Sequence, residues 1–360
     1  MSTAHIDEPA RHSGNRATRR YWWVWIVGAM SLLALLAGGI SAGLLYEKQR
    51  LAPDRLVADY LRLVVDGRIE EAVSLSGGVE DGLDTRLLTD ETYAAASNRV
   101  SDFAIGTVEY SAGRAVGPVK IRQASTTTEQ RIQLASSSKE FGLVDVWRFE
   151  NVGLASVRVA VFGPDVQDMM VNGEDLGKIG PVGSTGPERQ GLTLPAFPGD
   201  YEIGSTTVNV YYDVAPATAS IAAITGEDAE QAGRASLHAQ LNAVGEALAQ
   251  NAVASYFDGC LAQGVMVPVG CTFNPSIDPG AMYSNVTWQQ QALPTTRIGD
   301  WDGLGWTVDS YNDGRFTLEA DASVGASTQR LTWTFTTMNV YGRVIVTDGI
   351  AVFTDYRKLN

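Results

Sequence analysis

FAIGTVEYS (residues 103–111), GPVKIRQAS (117–125), EQRIQLAS (129–136) and GLVDVWRFE (142–150) are consecutive runs in which apolar and polar residues alternate. A period of two places every second side chain on the same face of a strand. Clusters of glycine, serine and threonine separate the runs, as expected of turns. This stretch therefore predicts an antiparallel sheet of about four strands.

Short helical patterns precede this sheet. Ala52-Pro53-Asp54 marks a helix start, and apolar residues then recur at helical spacing until Asp66-Gly67. The run RIEEAVSL (68–75) predicts a second helix, and Thr89-Asp90-Glu91 opens a third around residues 93–98. Helices followed by a meander of strands predict an α+β domain over residues 52–150.

Further towards the amino terminus, residues 21–45 read YWWVWIVGAMSLLALLAGGISAGLL, without a charge. A helix of this length spans roughly 37 Å, more than the hydrocarbon core of a bilayer. Arginines cluster before the run, which predicts a single-pass, type II anchor in the cell membrane with a disordered cytoplasmic tail (1–20) and extracytoplasmic carboxyl-terminal domains. A cleaved signal peptide is the alternative, although its apolar region is normally only about 7–15 residues long.

Two further features bear on partners. Gly39 and Gly43 form a GxxxG spacing, which can support a weak homodimer through the anchor; small residues that merely tolerate lipid are the favoured interpretation. The formal net charge is −14. Because an acidic surface repels phosphate backbones, this charge disfavours nucleic-acid binding.

The first outer domain resembles known folds. Tyr60-Leu61, Val65-Asp66-Gly67-Arg68 and Ala72, followed by such a sheet, resemble the cone-shaped NTF2-like fold. The same pattern is similar to single-pass envelope proteins of Gram-positive, actinobacterial type, including the teicoplanin-resistance-associated membrane protein family. The resemblance implies an α+β chain in which one transmembrane helix carries NTF2-like helix-plus-antiparallel-sheet domains that flank a small β-sandwich.

That sandwich is predicted over residues 155–215. Strand-like runs alternate with turns, and Asn172-Gly173 suits a type I′ hairpin. Val171-Asn172-Gly173, Gly177 and Phe197-Pro198-Gly199-Asp200-Tyr201 resemble the PEGA-type β-sandwich modules of bacterial surfaces. The resemblance implies a spacer or adhesion support, in which these residues set turn geometry and Tyr201 returns to the core.

Residues 226–360 predict a second α+β domain. Leu237, Leu241, Val244 and Leu248 form one apolar stripe, which predicts a helix running to about Leu261. Strands follow, with hairpin signals at Asn312-Asp313-Gly314 and Asp348-Gly349. A helix with an antiparallel sheet repeats the plan of the first domain, so a second NTF2-like fold is one interpretation, although the two domains share no clear repeat of residues.

The chain has two cysteines, Cys260 and Cys271. Outside the cytoplasm such a pair predicts a disulfide, and closing a loop this short stabilises a fold by roughly 3 kcal/mol in the chain-entropy model. A metal site and free thiols are the alternatives. The disulfide is favoured because no histidine or second cysteine pair lies nearby in the sequence.

The residue types that carry catalysis are sparse. The histidines are His5, His12 and His238, so an outer Ser–His–Asp triad depends on His238, which the helical pattern places on a solvated face. Asp300-Trp301-Asp302-Gly303 hints at a calcium loop, but the other ligands of an EF-hand are missing and a polar turn is favoured. Glu70-Glu71 fits a solvated helix face. We therefore predict no catalytic, cofactor or metal residues, and no enzyme.

Tryptophans crowd the last domain, and aromatic side chains can stack on sugar rings. We predict Trp288, Trp301 and Trp306 as candidate ligand contacts and assign Trp333 to the core because it alternates within a strand. The resulting hypothesis is a membrane-anchored binding or scaffold protein of the cell envelope, without catalysis. Its predicted partners are the bilayer, through 21–45, and a cell-wall polymer or another membrane protein. The alternatives are an enzyme or small-ligand binder with an NTF2-like cavity, and a structural spacer.

Overall fold

A computed structural model of the chain describes residues 26–31, 52–140, 144–150, 154–164, 168–178, 190–206, 208–224 and 233–356. Strands make up 52% and helices 19%, so the fold is mostly β. The predicted α+β class is therefore wrong. The class was predicted from the helical pattern at the start of two domains, but the helices are few, whereas strands fill all three units.

The prediction of a single-pass membrane anchor over residues 21–45 is also wrong. Of this stretch the structure describes 26–31, a short helix, α1. Across the described ranges, no helix combines the length and the apolar character that crossing a membrane requires. The cell-membrane location assigned from that anchor, with its cytoplasmic and extracytoplasmic sides, loses its support. The predicted tail (1–20) and the pairing through Gly39 and Gly43 lie outside the described residues.

Residues 52–150 form the first unit, which begins with three helices. Helix α2 (Pro53–Asp66) has its proline in the first turn and ends at Gly67, whose φ of 78° lies in the left-handed region that favours glycine. Helix α3 (Ile69–Leu75) follows, and Thr89 caps α4 (Asp90–Ala95) by accepting an amide hydrogen from its first turn. The helices predicted from the sequence are therefore present.

The sheet of the first unit is an antiparallel meander. Strands β1 and β2 lie end to end along β3, and the order continues through β4 to β5. The sheet predicted here from alternation is present, with its first run divided in two. The strands are β1 (Val100–Ile105), β2 (Glu109–Ser111), β3 (Arg114–Gln123), β4 (Thr126–Glu140) and β5 (Val144–Phe149).

The second unit, residues 154–241, is a sandwich of two four-stranded sheets. One sheet has the order β12-β10-β7-β8 and the other β11-β13-β6-β9, in which β13 pairs with β6 in parallel. The strands are β6 (Ser156–Phe162), β7 (Asp168–Val171), β8 (Glu174–Lys178), β9 (Gln190–Pro195), β10 (Gly199–Gly204), β11 (Tyr212–Val214), β12 (Ala217–Ile221) and β13 (Gly233–Leu241).

Turn residues act in this sandwich as predicted. Asn172 and Gly173 both have positive φ, 51° and 88°, in the β7–β8 hairpin, as a type I′ turn requires. Tyr201 is fully buried, and its hydroxyl donates to the carbonyl oxygen of Phe197 at 2.9 Å. These contacts fix the entry of β10 into the core.

The helix predicted from Leu237 begins later than expected. Residues Gly233–Leu241 form strand β13, and α5 covers Ala243–Leu261. The spacing of four between Leu237 and Leu241 fits a strand as well as a helix. Residues four apart lie on the same face of a strand, and four residues also make about one helical turn. Asn242 separates the two elements by accepting two amide hydrogens from the first turn of α5. The sandwich therefore extends beyond its predicted end at residue 215.

The last unit combines α5 with seven antiparallel strands. They form sheets of order β14-β17-β18 and β15-β16-β19-β20, and α5 packs on β19 and β20. Strand β14 continues into β15, β16 into β17 and β18 into β19, so the two sheets are halves of one bent antiparallel meander. The strands are β14 (Met282–Ala292), β15 (Thr295–Trp301), β16 (Trp306–Asn312), β17 (Gly314–Val324), β18 (Ser327–Met338), β19 (Tyr341–Thr347) and β20 (Ile350–Asp355).

The hairpin predicted at Asn312-Asp313-Gly314 is wrong. Strand β16 pairs with β15 and β19, whereas β17 pairs with β14 and β18, so the chain bends here without reversing. Gly314 permits the bend, because a β-carbon there would lie 2.7 Å from Cδ of Pro294. The hairpin predicted at Asp348-Gly349 is confirmed, since both residues have positive φ between β19 and β20.

One hydrophobic core runs through the three units. Gln123 Nε2 donates to the carbonyl oxygen of Ile221 at 2.9 Å, which joins the first sheet to the sandwich. Trp306 Nε1 donates to the carbonyl oxygen of Ala239 at 3.0 Å, which joins the sandwich to the last unit. Buried hydrogen bonds at both junctions hold the units in contact.

Candidate functional site

The predicted contact residues Trp288, Trp301 and Trp306 lie inside the last unit. Their exposed fractions are 8%, 7% and 1%. Trp301 and Trp306 face each other across β15 and β16, with ring centroids 4.8 Å apart. Trp301, which the sequence places within a polar turn, instead ends strand β15 with its ring buried, and all three side chains pack in the core.

The calcium-loop hint at residues 300–303 has a structural explanation. The Asp302 carboxylate accepts hydrogen bonds from the amides of Leu304 and Gly305 and from the hydroxyl of Tyr356, and it pairs with Arg343 at 3.0 Å. Partial burial raises the pKa of Asp302, but these hydrogen bonds and the arginine charge outweigh it, so the pKa lies below its ordinary value. Both carboxylate oxygens of Asp302 thus already have hydrogen-bond or ion-pair partners. The described residues contain no metal-binding cluster.

The remaining chemistry-bearing residues lie apart from one another. Glu70 and Glu71 are exposed on α3, where Glu71 pairs with Arg68. His238 does not lie on a helix, as predicted, but on the outer face of β13, where its ring stacks on Phe162 at 4.6 Å. The structure thus brings none of the predicted site residues together with a nucleophile and a base.

An exposed apolar loop follows α5. It runs from Gly264 to Gly270, with the sequence GVMVPVG, and we call it the valine loop. Val265, Val267 and Val269 point outward and are 44%, 42% and 85% exposed, whereas the two residues between them are buried. Residues 259–277 carry no charge. Apolar side chains displayed in this way are a feature of interaction surfaces.

Two covalent or polar links close the base of this loop. Cys260, which is 2% exposed, forms a disulfide with Cys271. Gln263 then binds the backbone of Val269 twice: its Nε2 donates to the carbonyl oxygen at 3.1 Å, and its Oε1 accepts the amide hydrogen at 2.8 Å. These links restrain the loop, and a restrained loop loses less conformational entropy when it is bound than a free one does.

A row of large side chains supports the loop from below. Trp288, Leu318 and Trp333 are register partners on β14, β17 and β18, so they share one face of the sheet. Trp288 Nε1 donates to the carbonyl oxygen of Val265 at 2.8 Å, which ties the row to the loop. The buried Trp288 therefore supports the valine loop from the sheet below.

The far end of this row opens to solvent. Trp333 lies on the edge strand β18 and is half-buried, as are Leu331 and Phe335 on the same face of that strand. Tyr283 covers part of Trp333, with ring centroids 6.1 Å apart. Trp333, which the sequence assigned to the core, is thus more exposed than the three predicted contacts.

The valine loop was missed although its signal is visible in the sequence. Valines alternate with other residues between Gly264 and Gly270, inside a pair of cysteines and within an uncharged stretch. The residues Pro268-Val269-Gly270 predict only a turn, and the cysteine pair predicts only a stabilising link. In a loop that packs on the protein with one face only, alternate residues point inward and the residues between them point to solvent. Here the inward residues are Met266 and Pro268, so the three valines are exposed.

Comparisons with protein-family models, with curated proteins and with solved structures give no match to this chain, so the NTF2-like, PEGA-like and envelope-protein resemblances remain predictions.

Proposed function

We propose that the chain is a binding or scaffold protein without catalysis, and that the valine loop is its contact with a partner protein. The observation that carries this proposal is the display of three valines on a loop fixed by a disulfide and a side-chain clamp. Exposing apolar side chains contributes nothing to folding. A preorganised apolar loop is favourable when a partner buries it.

The partner surface is expected to be an apolar pocket with a basic rim. Asp258 and Asp278 flank the valine loop in the sequence, and no lysine or arginine occurs between them. A short convex loop fits a pocket, and opposite charge at the rim increases the rate of association. Burying one valine in such a pocket contributes about 1.5 kcal/mol or more, roughly a tenfold gain in affinity.

The acids with shifted pKa values support the enzyme alternative less than they support a binding protein. A general acid needs a raised pKa, but the pKa values of Asp84, Asp302 and Asp321 are lowered. Hydrogen bonds from Arg86 lower the first, and those from Asn285 and Arg330 lower the last. Such carboxylates remain ionised and act as acceptors within the fold.

Site-specific photocrosslinking in the native host tests the contact. A photoreactive amino acid at position 269 should give a discrete adduct with a partner protein. The matched control is position 208, an equally accessible valine in the sandwich that is 96% exposed. The same adduct from both positions, or none from position 269, would contradict the proposal.

A second test moves the photoreactive amino acid to position 267, which is 42% exposed, so that position 269 can be varied. Val269→Asp should then abolish the adduct from position 267. In the chain without the photoreactive residue it should shorten retention on a phenyl-substituted resin, with the melting temperature unchanged because the side chain is 85% exposed. Val208→Asp, the control, should leave the adduct intact. If Val269→Asp keeps the adduct at full yield, the valine loop is not the contact.

A further inference from the structure

Two arginines lie side by side on the outer face of the sandwich. Arg158 on β6 and Arg234 on β13 are direct register partners on adjacent parallel strands. Both side chains are exposed. Neighbouring strands are only about 4.8 Å apart, so both guanidinium groups reach the same volume of solvent. Within the described ranges neither arginine makes an ion pair or a side-chain hydrogen bond.

This arrangement breaks a rule that the other described sheets follow. Like charges directly opposite one another on adjacent strands are destabilising. Every other register pair of two charged residues in the described sheets has opposite signs: Asp102 with Arg122, Lys120 with Glu129, Lys139 with Asp145, Asp168 with Lys178, Arg297 with Asp309, and Asp321 with Arg330. Arg158 and Arg234 are the one like-charged register pair in the described sheets, and both are positive in a chain of net charge −14. Local rules broken at one place are typical of functional sites.

Polar groups on the same face extend the pair. Thr193 on β9 lies opposite Arg158, and Ser236 and His238 follow Arg234 at steps of two along β13, all exposed. They add hydroxyl and imidazole groups to the two guanidinium groups. Among the described acids this face includes Asp213, beside Gln240, about 20 Å along the strands from Arg234. The arginine end of the face is thus free of described carboxylates.

We propose that Arg158 and Arg234 form a binding site for an oxyanion group: a phosphate, a phosphodiester or a sulfate. Guanidinium groups present planar forks that match such groups with two hydrogen bonds each, and charge assistance strengthens these bonds. An anion between the two arginines also removes their mutual repulsion. The site lies on the sandwich and is independent of the valine loop, so each proposal stands or fails alone.

Binding of inorganic pyrophosphate to the full chain, measured by titration calorimetry at low salt, tests the site. Wild type should bind one anion, and the affinity should fall as salt rises. Arg158→Gln and Arg234→Gln should each weaken binding at least tenfold, while Arg131→Gln should not. Arg131 is the matched control, an exposed arginine on β4 whose register partner is the uncharged Pro118. Unchanged affinity in either site variant, or no binding by wild type, would overturn the proposal.

Two additional measurements sharpen the test. Without anion, Arg158→Gln should melt at a higher temperature than wild type, because it removes a like-charge pair; a lower melting temperature would contradict the inferred repulsion. Long-chain polyphosphate is the second probe and distinguishes the source of the oxyanion. Tighter binding per phosphate than pyrophosphate identifies a polymer-borne group, and equal binding identifies a small ligand, both through Arg158 and Arg234.

Discussion

The α-carbon of Gly245 faces the backbone carbonyl of Tyr211 so closely that a β-carbon at position 245 would collide with its oxygen. The same carbonyl accepts the amide hydrogen of Asn242 at 3.0 Å, and Asn242 Nδ2 donates to Val210 at 3.0 Å. The start of α5 is therefore fixed against the segment that leads into β11. This contact sets how the last unit, with its valine loop, sits on the sandwich.

Gly245→Ala should lower the free energy of unfolding by about 2 kcal/mol or more, because overpacking against backbone is not relieved by a side-chain rotation. Gly259→Ala is the control in the same helix. A β-carbon there meets no atom within 4 Å, so the higher helix propensity of alanine should raise stability by about 0.5–1 kcal/mol. Urea denaturation of both variants measures the difference; equal effects would argue against the Tyr211 contact.

The hydroxyl of Tyr60 is buried, and among the described residues it has no hydrogen-bond partner. Burial raises its pKa. An unsatisfied buried hydroxyl costs about 1–3 kcal/mol, so Tyr60→Phe should leave stability unchanged or increase it. Tyr201→Phe, the control, removes the bond to Phe197 and should destabilise by about 1 kcal/mol.

Chemical denaturation measures the free energy of unfolding of both tyrosine variants. It compares the Tyr60 hydroxyl, which has no described partner, with the Tyr201 hydroxyl, which donates to Phe197. A larger loss for Tyr60→Phe than for Tyr201→Phe would contradict the inference that the Tyr60 hydroxyl has no hydrogen-bond partner.

Replacing both Cys260 and Cys271 by alanine should lower stability by roughly 3 kcal/mol, since the unfolded chain regains the freedom of a short loop. The valine loop should also become the first site of limited proteolysis, because the hydrogen bonds of Gln263 and Trp288 then hold it without a covalent link. Guanidinium denaturation and mapping of the first cleavage check these outcomes. Unchanged stability with cleavage elsewhere would mean that the disulfide does not hold the loop.

Asp302 should make stability depend on pH. Its folded pKa is lower than the value of about 4 for an unfolded aspartate. The stabilisation is therefore complete above about pH 4 and is lost as the pH falls through the folded pKa. The difference in melting temperature between wild type and Asp302→Asn should be constant from pH 7 to about pH 4 and shrink below it. Asp300→Asn, the exposed neighbour, should stay close to wild type throughout, and a difference for Asp302→Asn that persists at pH 2 would rule out the carboxylate as its cause.

Local patterns predicted the elements of the first unit because each rests on neighbouring residues. Gly67 ends α2, and Thr89 caps α4, as their types require. The same reasoning failed at Asn312-Asp313-Gly314, where the turn signal is local but the choice between a bend and a reversal depends on which strand pairs with β17. That partner, β14, begins more than 20 residues earlier in the chain.

The candidate site was predicted poorly for a related reason. Trp301 lies between Asp300 and Asp302, which suggested a polar turn, yet acid–tryptophan–acid is also the period-two pattern of a strand with its tryptophan inside. The arginine pair was not predictable, because it arises only when β6 and β13 meet in parallel. Side-chain identity gives the candidates, but the pairing of distant strands decides which of them meet.

The parallel pairing of β6 with β13 also sets the order of events during synthesis. About 75 residues separate the two strands, so at roughly 5–20 residues per second the ribosome delivers β13 some 4–15 seconds after β6. Until then one edge of β6 has no partner and can pair with another nascent chain. Closure of the sandwich awaits β13, which ends just before α5, so premature termination before residue 233 leaves a fragment with an unpaired strand edge that is prone to aggregation.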